Sequence, residues 1–192
     1  MGCVAVIGPS CSGKTTTAGR LAEILDLPHI ELDGLHFGPN WVEAPAELMQ
    51  ERVRAALDAA PDRWVVDGNY FGKLGPLVLD RADTIVWIDV PYRTVIRRVL
   101  RRTCSRLITR EELWQSGNRE RLRDTFGRES IVAYVLTRHR GFERRWAERL
   151  EGRNVVRVKN ADAWLQSIQA TESMSGSSKE SERQKTPPLA ET

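Results

Sequence analysis

Strand-like apolar runs and helix-like apolar spacings take turns along this chain. Cys3-Val4-Ala5-Val6-Ile7 is apolar throughout, the pattern of a strand covered on both faces. Ala18, Leu21, Ala22 and Leu25 then recur at i, i+3, i+4 and i+7, which predicts a helix over about 14–25. His29-Ile30-Glu31-Leu32-Asp33 reads as a second strand. Residues 34–41 hold two glycines, a proline and an asparagine, and read as a loop. Leu48, Met49, Val53, Ala56, Leu57 and Ala60 form a helical face behind Pro45, a residue suited to a helix start. Trp64-Val65-Val66-Asp67 is a third strand ending in a carboxylate, followed by a glycine-punctuated loop over 68–75 and a short helix over about 76–81.

A fourth strand is expected over 84–89. Pro91 opens a helix with Val95, Ile96, Val99 and Leu100 on one side and Arg97, Arg98, Arg101 and Arg102 on the other. From about 103 to 128 the pattern is weak and charged, and short helices forming a mobile cover are expected. Helical spacing returns over 129–137 and again at Phe142, Trp146 and Leu150. A fifth strand follows over 154–158 and a last helix over about 161–168. This alternation predicts an α/β protein with a parallel sheet covered on both faces. Ligands of such sheets sit at the carboxyl ends of the strands, where Gly8, Asp33, Asp67 and Asp89 fall.

The chain has 192 residues, which bounds it to one main domain, over 1–169. Residues 170–192 turn to Ser, Glu, Lys, Thr and Pro with little to bury, and read as a disordered tail. No apolar run is long enough for a bilayer and no basic-then-apolar leader opens the sequence, so a cytoplasmic protein is expected. Cys3, Cys11 and Cys104 show no metal-ligand spacing. Charge changes the picture more. Residues 93–153 hold 17 arginines, no lysine and eight acidic residues, while the chain as a whole is only +3. An excess made of arginine alone suits bidentate phosphate contacts, although solvated helix faces account for many of these side chains.

The chemistry centres on Gly8-Pro9-Ser10-Cys11-Ser12-Gly13-Lys14-Thr15, which matches G-x-x-x-x-G-K-[ST] between the first strand and the first helix. Gly8 and Gly13 permit a tight turn whose backbone N–H groups point inward at phosphate oxygens. The helix start adds its positive dipole end. Lys14 is expected at the β- and γ-phosphates of ATP, the Thr15 hydroxyl on Mg²⁺, and Thr16 beside the phosphates. Asp67 stands where a Walker-B carboxylate belongs, holding Mg²⁺ directly or through water; as an alternative it caps the next turn. Asp33 is either a contact to the phosphate acceptor, acting as general base, or an Asx-turn residue before Gly34. His36 lacks a third ligand for a metal site. Arg98 and Arg102 lie one turn apart on one helix face and are expected to embrace ATP. Arg119, Arg138 and Arg140 are candidates for a closing segment, with Arg138 taken as catalytic beside Lys14, Asp33 and Arg102.

These residues resemble the nucleoside monophosphate kinase superfamily, which includes adenylate kinase. Gly8 to Thr15, Val66-Asp67-Gly68, and Ile88-Asp89-Val90-Pro91 before an arginine-bearing helix carry the resemblance. Within that group, Leu32-Asp33-Gly34-Leu35-His36-Phe37-Gly38-Pro39-Asn40-Trp41 and Val66-Asp67-Gly68-Asn69-Tyr70 are similar to segments of the bacterial "DNA topology modulation" family. The resemblance implies a three-layer P-loop NTPase fold with a five-stranded parallel sheet ordered 2-3-1-4-5. It implies ATP and Mg²⁺, an acceptor segment over about 33–60, and an arginine-rich helical lid over about 103–140. It also places Arg98 and Arg102 at the adenine side and phosphates of ATP. Asn69-Tyr70 replaces the residues that hold AMP in adenylate kinases, so AMP is not implied as acceptor.

The reading that follows is a small ATP-dependent kinase acting on a nucleotide or a small hydroxylated metabolite, as a monomer or homodimer. The alternative is a nucleotide-dependent regulator that binds nucleic acid through the arginine-rich region. It is disfavoured because the arginines cluster where a closing lid belongs. A weaker third reading is a toxin-type kinase modifying a sugar nucleotide.

Overall fold

The structure is a computed structural model that describes residues 2–109 and 142–183. Its strands are β1 (Cys3–Ile7), β2 (His29–Glu31), β3 (Trp64–Asp67), β4 (Thr84–Ile88) and β5 (Val155–Val158). Its helices are α1 (Lys14–Leu25), α2 (Leu32–His36), α3 (Ala46–Asp58), α4 (Phe71–Leu74), α5 (Leu77–Arg81), α6 (Tyr92–Thr109), α7 (Phe142–Leu150) and α8 (Ala161–Arg183), with a 3-10 turn over Pro39–Trp41. The five strands form one parallel sheet in the order β2-β3-β1-β4-β5. This is the α/β P-loop architecture expected.

β1 is central, with Cys3 level with Trp64 of β3 and Val4 level with Thr84 of β4. Every residue of β1 is buried, as a strand covered on both faces requires. Alternate side chains feed opposite layers. Ala5, Ile7, Val66 and Trp87 pack with Met49, Val53 and Leu57 of α3 and with Trp146 and Leu150 of α7. Val4, Val6, Val65 and Val86 pack with Ala18, Leu21 and Ala22 of α1, Val95 and Val99 of α6, and Leu165 of α8. The chain leaves β1 toward β2 and β3, then crosses back to β4. The strand order therefore reverses at β1, and the crevice at its carboxyl end is the natural ligand position.

Several boundaries depart from the sequence pattern. β2 stops at Glu31, and Asp33 belongs to a short helix rather than a strand. Leu32, Leu35 and His36 are spaced i, i+3 and i+4, and Phe37 N–H closes the turn on the Asp33 carbonyl at 3.0 Å. β4 ends at Ile88, and the Asp89 carboxylate accepts a 2.8 Å bond from Arg157 Nε instead of facing the crevice. α6 runs through the charged segment to Thr109, since Val95, Val99 and Thr103 bury one continuous stripe. α8 continues to Arg183, so the segment from 170, expected to lack regular structure, is helical that far. Leu165 anchors the helix in the core, and each further residue then adds a backbone bond without a new nucleus. The rest of the expected lid, 110–141, and the helix over 129–137 lie outside the described residues.

Candidate functional site

The loop after β1 is shaped by its backbone. Gly8 has φ 155°, and a Cβ there would stand 2.8 Å from the Ile88 carbonyl oxygen. Gly13, at φ 98° and ψ 15°, caps α1 in the left-handed region, and Cys11 adopts φ 59°. Ser12 N–H closes the turn on the Pro9 carbonyl at 3.1 Å, and Thr17 N–H is the first to reach back, to Gly13 O at 2.9 Å. The amides ahead of Thr17 have no helix carbonyl behind them. No side chain caps this helix start, and its first turn carries no acidic residue. A helix terminus of this kind attracts an anion.

Around that terminus lies an open cleft of about 290 Å³. The loop contributes Cys11, Gly13, Lys14, Thr15 and Thr16; α6 contributes Arg98 and Arg102; β2 and α2 contribute Glu31 and Asp33. The Arg98 guanidinium donates to the Ser12 carbonyl, and Arg102 Nη1 lies 3.7 Å from Cys11 Sγ. Both arginines are thus drawn onto the loop. Buried Arg102 Nε has no hydrogen-bond partner, and neither does Ser12 Oγ. Pro9 and Ser10 belong to the same turn, while Gly8 and Ser12 lie behind the cleft wall. Arg119, Arg138 and Arg140 lie outside the described residues.

Asp67 sits behind Thr15 with only 2% of its surface exposed. Its Oδ2 accepts the Thr15 hydroxyl at 2.5 Å, and its Oδ1 lies 3.0 Å from His29 Nε2. The hydrogen bond and charge of Asp67, with the charge of Glu31 nearby, hold the His29 pKa above its ordinary value against the opposing effect of burial. Asn69 grips the loop from the other side. Its Oδ1 accepts Gly8 N–H at 3.3 Å and its Nδ2 donates to the Gly8 carbonyl.

On the far wall, Tyr70 O–H donates to Asp33 Oδ1 at 2.7 Å. Burial, then the Asp33 charge, push the Tyr70 pKa up, so the phenol stays a donor. Beneath it His36, 3% exposed, packs between the rings of Phe37 and Tyr70, each 4.5 Å away. Its Nε2 lies 3.4 Å from Glu43 Oε2, and Nδ1 has no partner. Burial, then the charge of Lys73, hold the His36 pKa below its ordinary value. Lys73 Nζ bonds Glu43 at 2.8 Å and the Ala44 carbonyl at 3.0 Å.

The fold therefore brings Lys14, Thr15, Thr16, Asp33, Arg98 and Arg102 to one cleft, with Asp67 directly behind. Glu31, His29, Asn69 and Tyr70 complete the surroundings and were not singled out as site residues by their sequence positions. The polar–apolar–polar pattern of His29, Ile30 and Glu31 was the available signal, because alternate strand residues share a face.

No protein-family model matches the chain, and no curated protein matches it. Solved structures do. A shikimate kinase from Bacteroides thetaiotaomicron is 14% identical, with a TM-score of 0.51, covering 88% of this chain and 96% of its own. A provisionally assigned kinase from Chloroflexus aurantiacus is also 14% identical, with a TM-score of 0.50, over 87% of this chain and 96% of that one. A deoxyadenosine kinase from M. mycoides with bound dCTP is 12% identical, with a TM-score of 0.48, over 88% and 97%. At 14% identity the first two likenesses are of fold alone: a P-loop kinase-like α/β architecture.

Proposed function

We propose that this chain is an ATP-dependent phosphotransferase that moves the γ-phosphoryl group of ATP to a small hydroxylated acceptor. The observation that carries the reading is the two-walled cleft. One wall offers an uncapped helix start with Lys14, Arg98 and Arg102; the other presents the Asp33 carboxylate. The loop amides and Lys14 hold the β- and γ-phosphates, and Arg98 and Arg102 meet the phosphates and base of ATP. Asp33 takes the proton of the acceptor hydroxyl as its oxygen bonds the γ-phosphorus. The bond from that phosphorus to the β–γ bridging oxygen breaks, and ADP leaves.

Thr15 and Asp67 suit Mg²⁺: a hydroxyl and a buried carboxylate, already 2.5 Å apart, are hard oxygen donors. Bound there, the ion would neutralise charge on the phosphates. Among the described residues there is no group of three or more His, Cys, Asp or Glu that could hold a metal ion.

In this reading residues 33–60 form the acceptor side, and the arginine-rich segment from about 103 to 140, Arg138 included, closes over ATP. The motifs around Asp33 and Asp67 support a place among the "DNA topology modulation" relatives of adenylate kinase, and a cytoplasmic monomer or homodimer is part of the same proposal. No described helix is long and apolar enough to cross a membrane. A nucleic-acid surface finds less support. The exposed Arg97 and Arg101 of α6 and the exposed Arg144, Arg145 and Arg149 of α7 lie on helices that cover opposite faces of the sheet.

The test is ADP release with Mg²⁺ against a panel of acceptors, in wild type and Lys14→Ala. Turnover stimulated by one acceptor class should fall on the order of a thousandfold in the variant. Retention within about tenfold would remove the loop from the chemistry.

A further inference from the structure

We infer that the acceptor is a hydroxyl compound without phosphate or carboxylate, neutral or cationic: a nucleoside, a sugar or an amino sugar rather than a nucleoside monophosphate or a sugar acid. The inference rests on the phosphotransferase reading and concerns the charge of the far wall of the same cleft.

Two carboxylates face the cleft there, Glu31 at the end of β2 and Asp33 in the first turn of α2. Neither carboxylate forms an ion pair among the described residues, although the charge of Glu31 helps raise the pKa of His29 on the same strand. Asp33 receives only the Tyr70 hydroxyl, which remains protonated and brings no charge. Glu31 makes no hydrogen bond or ion pair among the described residues. The wall is thus lined by two carboxylates that face the cleft without a cationic partner among the described residues.

Among the described residues, the cations nearest this wall are engaged with other groups. Arg52 Nη1, on the adjoining α3, donates to the Leu35 carbonyl at 2.9 Å. Lys73 is held by Glu43 and the Ala44 carbonyl. His29 is engaged with Asp67. His36 is buried between two rings, and its lowered pKa leaves it uncharged at neutral pH. The cleft's described cations, Lys14, Arg98 and Arg102, belong to the loop and α6, on the ATP side. There buried Arg102 Nε, without a partner, still awaits an acceptor atom.

A phosphate or carboxylate seated beside Glu31 and Asp33 would meet two like charges in a partly desolvated cleft, which is repulsive. A hydroxyl donates to either carboxylate, and an ammonium pairs with Glu31 while Asp33 takes the reacting proton. Glu31 is thus a specificity residue and Asp33 the base.

The experiment measures ADP release and phosphorylated product with Mg²⁺ and ATP, using full-length wild type, Glu31→Gln and Glu31→Lys. Nucleosides, neutral sugars and amino sugars form one arm; nucleoside monophosphates and sugar acids form the other. The expected result is product in the first arm only. Glu31→Lys should shift the kcat/KM ratio of anionic to neutral acceptors by roughly tenfold or more toward the anionic, with KM for ATP unchanged. Glu31→Gln, nearly the same shape, should give a smaller shift in the same direction. Efficient wild-type phosphorylation of an anionic acceptor would overturn the inference and leave the kinase reading standing. ATP binding with no product in either arm would overturn both. Unfolding midpoints of the variants separate a folding defect from a change of preference.

Discussion

The two walls of the cleft are made of different materials. The loop wall is mostly backbone: strained or glycine turns, helix amides, and two arginines drawn onto its carbonyl and thiol. The opposite wall is side chains: a phenol on a carboxylate, a second unpaired carboxylate, and a buried imidazole beneath them. A backbone wall suits the part of a ligand that is always the same, because amides recognise phosphate by geometry and dipole. A side-chain wall can change with few substitutions, so it suits the part that sets specificity.

The largest effect after loss of Lys14 should come from giving the backbone wall a side chain. Gly8→Ala forces a Cβ to 2.8 Å from a fixed carbonyl oxygen at positive φ. We expect about 3 kcal/mol of lost stability, with ATP affinity lost too, by denaturant unfolding and calorimetry. Next, Asp33→Asn should cost turnover on the order of a hundredfold while ATP affinity stays within about twofold. Equal losses in both would erase the division between the walls. Tyr70→Phe should lower kcat about tenfold through a misdirected Asp33, again without moving KM for ATP.

The smallest effect concerns His36. Its folded pKa lies below the unfolded value, so its contribution is fully present above about pH 6.5 and declines as pH falls through the folded value. The groups facing it are the Phe37 and Tyr70 rings, Glu43, Lys73 and Asp33. His36→Gln removes that titration. The stability gap between wild type and variant should therefore narrow as pH falls from 8 to 5, measured by urea unfolding.

The same contrast explains what the sequence made legible. The loop is local: eight consecutive residues state its turn, its lysine and its helix, and β1 announces itself by five apolar residues. The far wall is assembled from β2, α2 and the segment after β3, and no local pattern says that Tyr70 meets Asp33 or that Asn69 grips Gly8. Asn69-Tyr70, which the sequence marks both as part of a family-like segment and as a departure from adenylate kinases, holds both walls. Residues 29–33 read as one strand, but past Glu31 the spacing of Leu32, Leu35 and His36 is helical and carries Asp33 into α2. Asp89 looked like a strand-end carboxylate facing ligand, but its partner Arg157 lies on β5, beyond the reach of local pattern.

α8 packs on α1 through Leu165 among Ala18, Leu21 and Ala22, and Asp162 takes the guanidinium of Arg20. The ribosome makes α1 near the beginning of this chain and its brace after the last strand. While the nascent chain grows, β1 and β3 cover part of the apolar stripe of the helix that opens the phosphate loop, and the flank that α8 takes stays open until the last helix is made. The order of manufacture is thus the reverse of the order of dependence, and the earliest-made binding element is among the last to be secured.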